Sequence, residues 1–169
     1  MKEIEVKILE VDKREVLSKL KKLGARKTFQ GFIHALYFDF PNRRLKKRQS
    51  ILRLRKMGSK TELTFKQGLS KKRAKIMEEL QSPLPDFETA KDIMLQLGLG
   101  IARKVKKHRL SFVKGNTHFE LDTYPGIPTL LEIESPSLTV LQKTVKKLGY
   151  SMKDTKPWSS FDVLRHYRR

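Results

Sequence analysis

The chain has no cysteine in its 169 residues. Disulfides, thiolate metal centres and a cysteine nucleophile are thereby excluded, so any metal must be held by oxygen or histidine. Long apolar runs are missing as well. Nothing approaches the roughly 20 residues that cross a bilayer as a helix, and the start MKEIEVKI lacks the charged, apolar, small-residue order of a signal peptide. The expectation is a cytoplasmic protein with no membrane partner. Acidic residues are scarce beside basic ones, 18 against 38, which leaves a formal charge of +20. Such an excess attracts an anion, whether nucleic acid, a membrane surface or a phosphorylated small molecule. Lys-rich, Cys-free composition is also common in heat-adapted proteins, which accounts for part of the excess without any ligand. The length and the 38% apolar content suit one domain spanning residues 1–169.

Three amphipathic helices are legible from their caps and stops. Asp12 can cap the first, Val16, Leu17, Leu20 and Leu23 form its apolar stripe, and Gly24 ends it. The second runs from about Asp86 to Gly98, and the third from near Ser137 to Gly149. Between them the pattern predicts strands at 2–10, 30–40, 50–57, 61–67, 73–81, 101–114, 116–123 and 129–135. Turn chemistry at PNRR (41–44), MGSK (57–60), QGLSKK (67–72), KGN (114–116) and YPGIP (124–128) favours antiparallel pairing of neighbours. The basic tracts RRLKKR (43–48) and KKRAK (71–75) fall largely in these turns. An internal echo links EIEVKILEVDKREVLSKLKKLG (3–24) to EIESPSLTVLQKTVKKLG (132–149): each reads as a strand EIE followed by a helix ending KKLG.

Strand after strand alternates charge with apolar side chains. Glu3, Glu5 and Lys7 alternate with Ile4, Val6 and Ile8; Arg53 and Arg55 with Leu52 and Leu54; Glu62, Thr64 and Lys66 with Leu63 and Phe65. Lys107 and Arg109, Glu120 and Asp122, and Glu132 and Glu134 follow the same rule. On one strand this describes a wet sheet face, but here almost every polar position is fully charged and the signs are sorted by strand. The three helix stripes need the apolar face, so the charged face must lie elsewhere. A sheet of about eight antiparallel strands can close into a barrel with that face inside. Each buried ion costs roughly several kcal/mol unless paired, hydrated or bound to a ligand, so such a barrel is a tunnel for ions. In the fifth strand, Ile76 and Leu80 belong outside, leaving Lys75, Met77 and Glu79 within, and Glu79 is preferred to Glu78.

Converging carboxylates without Cys or paired His suit a hard cation, Mg2+ or Mn2+, which also accepts phosphate oxygens. Arg-x-Arg on one strand face can hold adjacent phosphates bidentately. Acids for metal beside bases for several phosphates imply a polyphosphate substrate. Glu3-Ile4-Glu5-Val6-Lys7 resembles the ExExK signature of the CYTH superfamily, the triphosphate tunnel metalloenzymes. The resemblance continues in order through YFD (37–39), LRLR (52–55), LTFK (63–66), KHRLSF (107–112), LDTYPGIPTLLEIE (121–134) and SSFDVL (159–164). It implies an α+β fold: a closed eight-stranded antiparallel barrel with a charged interior, helices packed on the outside, and a triphosphate bound with one or two divalent metals. By motif, Glu3, Glu5, Glu132 and Glu134 would be metal ligands, with Asp122 near a second metal. Lys7, Arg53, Arg55, Lys66, Lys107 and Arg109 would bind phosphates. Lys156, in DTKPW, matches a lysine near the tunnel mouth, and Glu132 or Glu79 could orient the attacking water.

The expected activity is metal-assisted hydrolysis of a triphosphate: inorganic tripolyphosphate, a nucleoside triphosphate or thiamine triphosphate. The rival within the resemblance is a class IV adenylyl cyclase, converting ATP to cyclic AMP and pyrophosphate. A basic RNA-binding β domain would place bases outside with exposed aromatics for stacking. Here the phenylalanines share the apolar parity, so no nucleic acid is required. A noncatalytic polyphosphate-binding module is a further alternative. His34, His108, His118 and His166 lack metal-ligand spacing and read as ordinary surface or satisfied positions, Trp158 as a packing anchor, and the assembly as monomer or homodimer.

Overall fold

Eight strands pair antiparallel in the order β5, β4, β3, β2, β6, β7, β8, β1, and pairing of β1 with β5 closes the ring. They span Lys2–Ile8 (β1), Arg26–Asp39 (β2), Ser50–Met57 (β3), Lys60–Ser70 (β4), Lys75–Leu84 (β5), Gly100–Lys114 (β6), Thr117–Thr123 (β7) and Leu130–Ser135 (β8). A ninth, β9 at Thr155–Lys156, takes the edge of β1 where β5 diverges, setting Lys7 opposite Lys156. The helices are α1 (Lys13–Leu23), α2 (Arg44–Lys47), α3 (Phe87–Gln96), α4 (Leu138–Lys147) and α5 (Ser160–Tyr167). The computed structural model describes residues 2–167. Among them no helix is long and apolar enough to cross a membrane.

The helix signals act as the sequence implies. Asp12, Asp86 and Ser137 each accept a hydrogen bond from the backbone N–H three residues on, at 2.9, 2.6 and 3.2 Å, satisfying donors that the first turn leaves open. Glu15, three residues after Asp12, pairs instead with Lys19 at 2.7 Å. Gly24 closes α1 at φ 74°, a left-handed angle that costs glycine nothing.

Outward-facing apolar residues meet these helices. Val6, Leu131, Ile133, Leu121 and Phe119 form one core with Val16 and Leu20 of α1 and Leu141 and Val145 of α4. Ile4 and Val6 therefore point out under helices while Glu5 and Lys7 point in, and both faces of β1 are buried. The two EIE strands of the echo are direct neighbours, with Glu5 opposite Glu134 and Lys7 opposite Glu132. A second core joins Leu36, Phe38 and Leu54 to Phe87 and Ala90 of α3.

Several boundaries differ from the sequence reading. RRLKKR forms the single turn α2, whose backbone amides at Leu45 and Lys46 donate to the Asp39 carboxylate. β2 begins at Arg26 rather than 30, and β5 runs through Pro83, where the strand's other edge is open beyond Glu78. α5 and β9 went unread because eight residues and two are too short for periodicity to declare itself. Leu80 does face outward, yet it is 68% exposed, since no helix covers β5 there.

Position rather than residue type should therefore set the cost of truncation. Leu121→Ala, at 1% exposure, should lose roughly 2–5 kcal/mol in a denaturant titration, while Leu80→Ala should stay within about 0.5 kcal/mol.

Candidate functional site

The alternation of β1, β3 to β8 delivers a charged cavity of about 270 Å3 inside the barrel. Its wall includes the carboxylates of Glu3, Glu5, Glu79, Glu120, Glu132 and Glu134 and the cations of Lys7, Arg53, Arg55, Lys66, Lys75, Lys107 and Arg109. The strands sort the signs, and cross-strand register pairs them. Lys7 Nζ bridges Glu5 at 2.9 Å and Glu132 at 2.5 Å. Lys75 reaches the same Glu5 oxygen at 2.9 Å. Lys66 pairs with Glu3 and, at 2.9 Å, with Glu79. Arg55 Nε approaches Glu62 at 2.6 Å without hydrogen-bond geometry, and Arg53 lies 3.7 Å from the same carboxylate. Arg53 Nε is buried with no hydrogen-bond partner.

Asp122 is wholly buried and spends both oxygens on cations. Arg109 grips it bidentately at 2.6 Å through Nε and a terminal nitrogen, and Lys107 donates to it at 2.5 Å. It therefore fixes the aim of two bases and sits apart from the acidic cluster. Three carboxylates do converge: Glu3, Glu5 and Glu134 offer oxygens all within 4.8 Å of one another. Glu132 leans instead toward Lys7 and, at 3.6 Å, toward Arg109. Lys156 is exposed on β9 and does not line the cavity.

Burial and partnership divide the acids into two kinds. Burial, a hydrogen bond to Glu79 and the nearby Glu134 push the Glu3 carboxyl up to about 8, against the pull of Lys66. Burial and the neighbouring Glu132 raise Glu134 to about 7. Glu5 is more deeply buried, but Lys7 and Lys75 outweigh desolvation and hold it down at about 2. Lys7 and Arg109 likewise overcome burial to keep Glu132 well below the usual carboxylate range, and Arg109 and Lys107 do so for Asp122. Glu79, against its own burial, is lowered by the proton that Glu3 donates and by Lys66. Two carboxyls of raised proton affinity thus stand beside an ionised one. A divalent cation would displace their protons, and an all-oxygen donor set suits a hard one.

Some cavity residues escaped the sequence reading. β2 contributes no charge: its inner face is Ile33, Ala35 and Tyr37. Ser159, Ser160 and Phe161 also line the cavity, at the start of the unread α5. His118 lies at the cavity rim, exposed, although its spacing gave no metal signal. Its parity with Glu120 was the available clue. Glu62 and Glu120 shared the charged face without a role, and Lys75 was placed inside without one. Trp158 packs against the apolar cluster beneath α5, as expected of an anchor.

The raised acids give a pH signature. Unfolded carboxyls ionise near 4.5, whereas Glu134 and Glu3 keep their protons to about 7 and 8, so the folded chain binds more protons between those limits. In chelator, stability should fall as pH rises from 5 to 8. Glu3→Gln should flatten that slope in melts recorded across the window, and excess Mg2+ or Mn2+ should remove it in the wild type.

A family model described as the CYTH domain matches residues 1–156. A Methanocaldococcus jannaschii protein named "Putative adenylate cyclase MJ0240" is 27% identical over 143 residues, covering 85% of this chain and 82% of its own length. The solved PH1012 protein of Pyrococcus horikoshii OT3 superposes with a TM-score of 0.80 at 27% identity, over 95% of this chain and 98% of that one. The fold also matches that of HpAC1 from Hippeastrum, described as a "putative adenylyl cyclase" with "a dominant" triphosphatase activity, with a TM-score of 0.69 at 16% identity over 97% and 95% of the two chains. The chain belongs to the CYTH domain family.

Proposed function

We propose that this protein is a divalent-metal-dependent phosphohydrolase that takes a triphosphate into its barrel. The observation that carries the reading is the juxtaposition of Glu3, Glu5 and Glu134, within 4.8 Å, with seven cationic side chains in one cavity. A purely structural ion network would leave no buried donor unsatisfied, and Arg53 Nε would then not be without an acceptor. An entering polyphosphate supplies acceptors for these donors, as Arg and Lys do for phosphates elsewhere.

Roles follow from position. Glu3, Glu5 and Glu134 hold the metal, Mg2+ or Mn2+, which when bound supplies Lewis acidity at the phosphoryl oxygens. Arg53, Arg55, Lys66, Lys75 and Arg109 bind the chain and offset charge that develops as the bridging bond breaks. Lys7 holds Glu5 and Glu132 in place. Asp122 aims Arg109 and Lys107, a use of its oxygens different from metal binding. Glu132 and Glu79, both kept ionised by neighbouring cations, are the carboxylates able to orient the attacking water. Exposed Lys156 has no part in this scheme.

The second reading, cyclisation of ATP, has the name of the M. jannaschii relative in its favour. Both reactions use the same metal and phosphate groups, so products must separate them. Purified protein with Mg2+ or Mn2+ should release orthophosphate from tripolyphosphate, ATP or thiamine triphosphate. Cyclic AMP with pyrophosphate from ATP would replace this reading by the cyclase. Glu5→Gln and Arg55→Ala should each lower kcat/KM by roughly a hundredfold or more while circular dichroism stays native, and chelation should stop turnover.

A further inference from the structure

Taking the triphosphate reading as its basis, we propose that Phe161 of α5 is a stop that makes the cavity blind at one end, so that only triphosphates with a free terminal phosphoryl group are substrates. The phosphate terminus would lie innermost, and any organic group would remain at the opposite mouth.

Strand register defines the closed end. Ala35 lies opposite Arg55 on one side and Val105 on the other, and Tyr37 lies opposite Arg53 and Arg103. On β2 and at Val105 of β6 the wall at this end is apolar: Ile33, Ala35 and Val105 are 2%, 3% and 5% exposed and pack with Val163 and Leu164 of α5. Phe161 continues the seal into the charged region. Its ring lies edge-on to Tyr37 at 4.6 Å, and the Arg103 guanidinium covers it at 4.5 Å.

α5 is tied down from both ends. Asp162 pairs with Lys71 of the β4–β5 loop at 2.8 Å and accepts from the Ser159 amide and hydroxyl at 2.8 and 2.7 Å. Tyr167 donates to Glu10, just beyond β1, at 2.8 Å. These contacts hold the helix across the barrel end rather than leaving it as a loose tail. At the other rim, His118 is exposed opposite Glu134 on the neighbouring strand, close to the acidic cluster. A chain entering there meets the acids first and the aromatic stop last. Removing the Phe161 ring would join the cavity to the space beside Arg103, another guanidinium able to meet a phosphate or an ester beyond it.

The test compares ATP, esterified at one end, with diadenosine triphosphate, esterified at both, by titration calorimetry with Mg2+, alongside tripolyphosphate. Wild type should bind tripolyphosphate and ATP, and diadenosine triphosphate at least roughly tenfold more weakly than ATP. Phe161→Ala should shrink that ratio, and Phe161→Leu, which keeps most of the bulk, should largely retain it. A ratio unchanged in folded Phe161→Ala would remove the assignment of Phe161. Equal binding of ATP and diadenosine triphosphate by wild type would overturn the blind end without needing any variant to fold. Failure to bind tripolyphosphate and ATP alike would refute the triphosphate reading, and the stop with it.

Discussion

Lys7 is 1% exposed, and its ammonium touches Glu5 on its own strand and Glu132 on the next. An isolated ammonium at that depth would give up its proton or keep the barrel open, since desolvation costs roughly several kcal/mol per ion. Instead the two carboxylates raise its proton affinity against burial. The arrangement works only if β1 and β8 lie side by side in the register that sets Lys7 opposite Glu132. That constraint propagates outward. With charge committed to the inside, Val6, Leu131 and Ile133 must face out, and α1 and α4 must cover them.

The same arithmetic explains why the interior is a site rather than a core. Hydrophobic replacements of buried ion pairs are often neutral or stabilising, so ionic filling on this scale is a poor way to gain stability. Carboxyls of Glu3 and Glu134 that retain protons near neutrality, beside an ionised Glu5, form a set that a cation completes. The bases on β3, β4 and β6 face the same volume. Asp122 and Glu62 hold guanidiniums of this array in place.

The barrel was legible because charge alternated at period two on strand after strand, a pattern that a wet sheet face does not require. The EIE echo located β1 and β8 relative to each other, and the parity of Ile76 correctly put Glu79 inside, where it is 8% exposed. Other features left no comparable trace. β2 lines the cavity with Ile33, Ala35 and Tyr37, whose apolar character gave no inner and outer face to tell apart. α5 is only eight residues long, and its role depends on Tyr37, Lys71 and Arg103, far away in the chain. The division of acids into proton-bearing and ion-locked groups is likewise invisible in the sequence, because Glu5 and Glu3 differ in which lysines and carboxylates reach them across the strands. Nor does the motif reveal the partners its residues take: Asp122 is locked onto Arg109 and Lys107, and Lys156 is exposed on β9.

The central claim, that the charged interior exists to hold a metal and a phosphate chain together, is tested most directly by anomalous diffraction from crystals grown with Mn2+ and tripolyphosphate. The account predicts a manganese peak among Glu3, Glu5 and Glu134, with phosphate density running along Arg53, Arg55 and Arg109. Manganese and phosphate found only on the outer surface, with the interior ion pairs unchanged, would contradict it.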